Sequence, residues 1–320
     1  MKDKNKKRGV DNPEFSYRAS LKSLDTEETI DLAFYRPIGY FWSVIAYRLG
    51  ITPNAITIAS IFLGVGAAVC FYFNNLWWNL LGVFLLVLAN SFDSADGQLA
   101  RMTKQYSRLG RILDGACGDI WFIAIYAAIC LRENVTSDFF MAHHWVIWVV
   151  AAGTGFFHGI QAAMADYYRQ FHLYFVKGKE GSELDSAPDL WEKFHAMTWK
   201  KDFWNKLFMM FYVNYTTGQE KRTPWMQKFR RELRGRFGDN IPVDLKERFR
   251  EQSKPLMKYT NMLSFNTRTI ALFLAILVFR MPWLYFAFEL TVLNTMLIYM
   301  MWRHERICRN MMREVKEYPN

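Results

Sequence analysis

Apolar residues in this chain fall in long blocks, separated by charged stretches of very unequal length. Six blocks approach the roughly 20 residues that carry a helix across a bilayer. They lie near positions 53–73, 76–92, 112–131, 145–166, 266–283 and 284–302. The pattern predicts an all-α integral membrane fold with six transmembrane helices. Ahead of the first block, the stretch TEETIDLAFYRPIGYFWSVIAYRL (26–49) mixes large apolar side chains with charge, as an amphipathic juxtamembrane helix does. Thr52-Pro53-Asn54 then opens the first span, with Pro53 in the first turn, where its missing N–H costs nothing.

Between the fourth and fifth blocks, about 170–262, the chain is polar and rich in Lys, Arg, Trp and Phe. Short amphipathic patches (DLWEKFHAMTWKKDFWNKLFMMF, then WMQKFRRELRGRF) predict several helices lying on the membrane surface. Roughly 90 residues with so few β-branched side chains make a poor independent core. The expected organisation has an N-terminal segment at 1–50, its first 25 residues loosely attached, and spans one to four at 51–168. The basic insert follows at 169–262, then spans five and six at 263–303 and a tail at 304–320.

Charge fixes the expected sidedness. The chain holds 40 Lys and Arg against 30 Asp and Glu, a net charge of +10. Nine of the basic residues precede position 51, four lie in 93–111, twenty in 169–268 and five from Arg303 onward. Only Arg132 and Arg280 fall on the opposite side of the expected bundle. Long loops count little toward orientation, but without the twenty the bias is still 18 to 2. Both termini are therefore expected in the cytoplasm, at the cell's inner membrane. Anionic headgroups account for the basic excess, and no nucleic acid is expected as a partner. Cys70, Cys117, Cys130 and Cys308 show neither a disulfide framework nor zinc-ligand spacing and read as reduced packing residues. Asn134-Val135-Thr136 is a formal glycosylation sequon, taken as chance.

The stretch that carries chemistry is SFDSADGQLARMTKQYSRLGRILDGACGD, Ser91 to Asp119. Asp93 and Asp96, three apart, share one helix face. Gly97, Ala100 and Arg101 follow; Gly110 comes after eight more residues, then Asp114 and Asp119. Carboxylates at the ends of membrane helices are costly and functional by default. Four of one sign need cations, and all-oxygen ligands select hard ions such as Mg²⁺ or Mn²⁺.

These residues resemble the signature of the CDP-alcohol phosphotransferases, Asp-x-x-Asp-Gly-x-x-Ala-Arg, eight residues, Gly-x-x-x-Asp-x-x-x-Asp, at every position but the last. Thr52-Pro53-Asn54-Ala55-Ile56-Thr57 is similar to the family's approach to its first span. The resemblance implies transfer of a substituted phosphate from a CDP-linked donor to an alcohol, with release of CMP. It implies that Asp93, Asp96, Asp114 and Asp119 hold two divalent ions, Asp119 also acting as general base. Thr52, Pro53, Asn54, Ala55, Gly97, Ala100, Arg101, Ser107 and Gly110 would lie against the nucleotide. A lipid substrate within the bilayer and a homodimer are further implications. His158 and Arg268 are candidates for the acceptor, weighed against a helix–helix hydrogen bond for His158 and snorkelling to lipid for Arg268.

Tyr35-Arg36-Pro37 is similar to the branch that handles phosphoinositol groups, which leans the expected product toward an inositol phospholipid or inositol phosphoceramide. The signature also serves phosphatidyl transfer to glycerol phosphate or serine, and ethanolamine or choline phosphotransfer. A cation transporter would place its acidic groups near the bilayer midplane, and an inactive scaffold would not keep four carboxylates.

The last signature position departs from the family by one residue. Asp119 is five residues after Asp114, where relatives have a spacing of four. At about 100° per residue, that swings Asp119 about 140° from Asp114. Either the site keeps three carboxylates, with Gly118 at the fourth position, or a π-bulge between Asp114 and Asp119 brings both inward. Gly115 and Gly118 favour the bulge.

Overall fold

The computed structural model describes residues 16–20, 26–105, 108–178, 182, 184–238 and 240–318. The side chains of residues 18, 19, 108, 109, 111, 112, 114 and 177 lie outside that description. The described residues are helical, with no strand among them. Six helical segments are long and apolar enough to span a bilayer: Pro53–Tyr72, Leu76–Thr103, Gly115–Thr136, His144–Val176, Val243–Val278 and Leu284–Glu317. They match the six expected blocks, but several run well past the hydropathic limits, and the fifth begins at Val243, inside the stretch expected as the insert. The fourth helix continues to Lys177 and the last to Glu317. Hydropathy marks where the lipid would end, whereas helix propensity and packing decide where the helix ends.

The chain divides into two compact units, Met1–Gly155 with Arg268–Phe288, and Phe156–Thr267 with Glu289–Asn320. In the first, the helix Arg36–Leu49 is closed by Gly50, whose φ of 73° is the left-handed cap that glycine takes without strain. Its Trp42, Ala46 and Tyr47 pack on Ile56 of the first span and on Phe92, Ala95 and Leu99 of the second. The first span then starts under an N-cap, with the Ala55 N–H donating to Thr52 Oγ1 at 3.4 Å. At its far end Arg132, 2% exposed, donates to the Phe71 carbonyl at 3.1 Å, to Asn79 Oδ1 at 3.1 Å and to Asn74 Oδ1 at 2.8 Å. One buried guanidinium thus ties the connection between spans one and two to the third.

In the second unit, the insert forms helices at Ala187–Ala196, Trp199–Lys221, Pro224–Phe237, Val243–Ser253 and Met257–Met262. Phe229 and Phe249 from the insert stack with Phe175 of the fourth helix, Phe175 lying 5.9 Å from Phe229 and 4.0 Å from Phe249 between ring centroids. Phe171 adds an edge contact to Phe249 at 5.3 Å. The insert's weak core is completed by the extended end of the fourth helix, which the hydropathy pattern does not disclose.

Candidate functional site

The polar end of the second span carries Asp93, Asp96, Gly97, Ala100 and Arg101 on one continuous helix, Leu76–Thr103. Asp96 is 3% exposed and Asp93 half-buried. The Thr57 hydroxyl, one turn into the first span, is hydrogen-bonded to Asp96 Oδ2. Ser60, a further turn along, donates to the Thr57 carbonyl at 2.6 Å and meets Cys117 Sγ of the third span at 3.2 Å. Cys117 in turn interacts with both Asp93 and Asp96. Three spans therefore converge on the Asp93–Asp96 face, and the first lines it with small hydroxyl side chains.

None of Thr57, Ser60 and Cys117 was expected as a site residue: Thr57 stood only in the approach to the first span, and Cys117 read as a packing residue. The signal for the first two was a small-residue stripe, Thr57, Ser60 and Gly64, spaced three and four apart on one face of the first span.

The N-terminal segment reaches the same helix end. Gln98 Nε2 donates to Ser20 Oγ at 3.3 Å and to the Arg36 carbonyl at 3.1 Å, and Arg101 Nε donates to the Ser20 carbonyl at 2.6 Å. Arg36 pairs with Glu27 at 2.9 Å and donates to Ser94 Oγ, next to Asp93, at 3.3 Å. The two helices approach so closely that a methyl at Gly39 would stand 2.8 Å from Ser94 Oγ. At Gly97 a methyl would stand 3.3 Å from Arg101 Nη1, so the glycine leaves the guanidinium its room.

The expected π-bulge between Asp114 and Asp119 is not formed. Residues Arg108–Thr136 make one α-helix, and π turns fall instead at Asp31–Tyr35, Leu274–Val278 and Glu289–Leu293. Glycine permits a widened turn without enforcing one, and a methyl at Gly115 or Gly118 would meet nothing within 4 Å. The regular ladder keeps every backbone bond inside the segment, which a lipid environment favours. On it Asp119 lies about 200° around the axis from Cys117, and it is exposed. Among the described residues no three metal-ligating side chains are grouped; the Asp114 side chain is outside that set, and Ser107 lies outside the described residues.

Pro53 is buried, Asn54 half-buried and Ala55 exposed, at the start of the span that carries Thr57; Ala100 and Gly110 are half-buried. His158 is 8% exposed and its Nδ1 is 3.5 Å from Glu289 Oε1 of the last helix. Gln161 donates to the Glu289 carbonyl at 3.2 Å and to Asn294 Oδ1 at 2.8 Å. His158 therefore takes part in a helix–helix polar network. Arg268 is 2% exposed, so its head does not snorkel to a lipid surface.

Residues 50–173 match the family described as CDP-alcohol phosphatidyltransferase. The chain is similar to a phosphatidylinositol phosphate synthase of Mycolicibacterium smegmatis (35% identical over 85 residues, 26% of this chain and 37% of the relative). It is similar to a CDP-diacylglycerol--glycerol-3-phosphate 3-phosphatidyltransferase of Cereibacter sphaeroides (40% over 63 residues, 19% and 28%). It is also similar to cholinephosphotransferase 1 of Gallus gallus (26% over 132 residues, 34% and 39%). The chain thus spans well under half the length of each of these relatives. No solved structure matches it.

Proposed function

We propose that this chain, whose residues 50–173 match the CDP-alcohol phosphatidyltransferase family, is an integral membrane enzyme that moves a substituted phosphate from a CDP-linked donor to an alcohol and releases CMP. The observation that carries the reading is the buried Asp96, held by the Thr57 hydroxyl beside Asp93 where three spans converge. Carboxylate and hydroxyl oxygens fit hard divalent ions. Asp93, Asp96 and Asp114 would hold Mg²⁺ or Mn²⁺ there, and such ions disperse charge on a breaking diphosphate.

This chain's own residues supply the rest. Thr57 fixes the Asp96 carboxylate. Gly97 keeps the backbone open to the nucleotide while Arg101 offers its guanidinium to phosphate. Thr52, Pro53, Asn54, Ala55, Ala100, Ser107 and Gly110 complete the nucleotide side of the site, and His158 and Arg268 remain candidates for the acceptor. Asp119, on a regular helix, faces away from the Asp93–Asp96 cluster, so the proposal rests on three carboxylates.

Asp93→Asn, Asp96→Asn and Asp114→Asn should each abolish CMP release with the fold intact, and EDTA should do the same. Activity surviving EDTA, or normal turnover in any of the three, would overturn the reading. Asp119→Ala should stay close to normal; a loss as large as that of Asp96→Asn would require the helix to unwind at Gly115–Gly118.

For the product we favour an inositol phospholipid or inositol phosphosphingolipid. Tyr35-Arg36-Pro37 supports it, with the Arg36 guanidinium at the end of the second span, as does the similarity to a phosphatidylinositol phosphate synthase. An assay across CDP-diacylglycerol, CDP-ethanolamine and CDP-inositol decides; turnover with CDP-ethanolamine or CDP-choline and none with any inositol compound would reject it. The charge bias supports a cytoplasmic site and cytoplasmic termini. Ser137→Cys should then label only from outside, and a homodimer is testable by cross-linking.

A further inference from the structure

Outside the catalytic spans, the second unit has a cleft of about 530 Å³ between the insert helix Pro224–Phe237 and the last helix, Asn294–Glu317. Trp225 and Trp302 wall it, and Arg306, Arg309, Asn310 and Arg313 line it. The one carboxylate there, Glu305, accepts hydrogen bonds from the Trp225 and Met226 backbone N–H groups at 2.7 and 3.1 Å. Its charge is committed to the N-terminus of the insert helix, where the helix dipole favours an anion. Among the described residues, none of the three arginines has a carboxylate partner. Indole faces hold two of them instead, Arg309 stacking 5.0 Å from the Trp225 ring centre and Arg306 5.6 Å from that of Trp302. Lys228 approaches the Trp225 ring at 4.3 Å. Stacked guanidinium groups keep their edge N–H donors for a ligand, and their planar fork suits phosphate oxygens.

The order of residues along the last helix identifies the ligand. At about 100° per residue, Ile298, Trp302, Arg306, Arg309 and Arg313 fall within an arc of about 80°. Ile298 is 69% exposed and Trp302 54%. The stripe therefore runs from an exposed aliphatic side chain through an indole to three guanidinium groups, with Arg309 about 10 Å above Trp302 at 1.5 Å per residue. A lipid presents the same sequence from acyl chain through interface to phosphate. A soluble anion needs no such apolar approach. We propose that this cleft binds the phosphate of an anionic phospholipid, whose acyl chains follow the last helix past Trp302 and Ile298.

The test is native mass spectrometry of the detergent-solubilised full chain, titrated with dioleoylphosphatidylglycerol or dioleoylphosphatidylcholine. The wild type should retain the anionic lipid preferentially, and Arg309→Gln should weaken that binding about fivefold, the effect of one cation near an anionic surface. Arg306→Gln/Arg309→Gln/Arg313→Gln should erase the preference, while Lys221→Gln/Lys246→Gln, outside the cleft, should keep it. Should the triple variant not fold, the single variant decides. Equal retention of both lipids by the wild type, or unchanged binding in Arg309→Gln, overturns the proposal. So does displacement of the bound lipid by millimolar inorganic phosphate, which would make the cleft a free-phosphate site. The readout is binding, independent of CMP release, so its failure leaves the catalytic reading untouched.

Discussion

Where the first and third spans cross, the position that matters has no side chain: a methyl at Gly64 would lie 2.1 Å from the Trp121 ring. Gly82 does the same for the second span, a methyl there lying 2.7 Å from the Phe71 ring. In the insert the contacts are made by large rings, with Phe171, Phe175, Phe229 and Phe249 all under 5% exposed. The difference fits the solvent each region is expected to displace. Lipid tails are as apolar as any core side chain, so helices in a bilayer gain by close approach and hydrogen bonding, and small residues allow both. In water the burial of aromatic surface is itself the driving force.

That contrast can be broken most severely in the insert. Phe229→Ala removes a ring with two stacked neighbours and an edge contact, and should cost about 3–5 kcal/mol. Limited proteolysis should show the insert cut much faster; an unchanged cleavage rate would mean that the ring stack is not what holds it.

Gly64→Ala tests the membrane side. Adding one methyl against a buried indole should lower stability by about 1–3 kcal/mol, read from thermal unfolding in detergent. Trp121→Leu in the same chain should restore part of the loss, since the two positions share one space. Additive losses would show that the crossing is looser than described.

The smallest effect is expected where the site borrows from the packing. Thr57→Val keeps the shape of the first span and removes the hydroxyl from Asp96, a change of about 1 kcal/mol. The fold should hold while the Mg²⁺ concentration for half-maximal CMP release rises several-fold; an unchanged metal requirement would make the Thr57 contact purely structural.

The six spans were legible because hydropathy answers directly to the bilayer, and the Asp93–Asp96 face because a spacing of three is short enough for any helix to honour. The five-residue spacing before Asp119 was legible as an anomaly, but its outcome was not. Whether a helix bulges depends on what pulls the displaced side chain, and sequence shows only what would permit it. The reach of Arg36 and Ser20 to the second span is a contact between segments 58 and 81 residues apart in sequence, counted to Ser94 and Arg101. No local pattern encodes it. Nor does the insert's composition show that Phe171 and Phe175, at the end of a membrane helix, complete its core.

The hydrogen bond from Arg101 to the Ser20 carbonyl has a practical side. The segment at residues 16–20 is fastened to the same helix end that bears Asp93 and Asp96, so anything inserted beside Ser20 pulls on a residue expected to meet the donor's phosphates. An affinity tag or fluorescent protein placed there would act as a handle on the site, altering its apparent affinity for nucleotide without touching it.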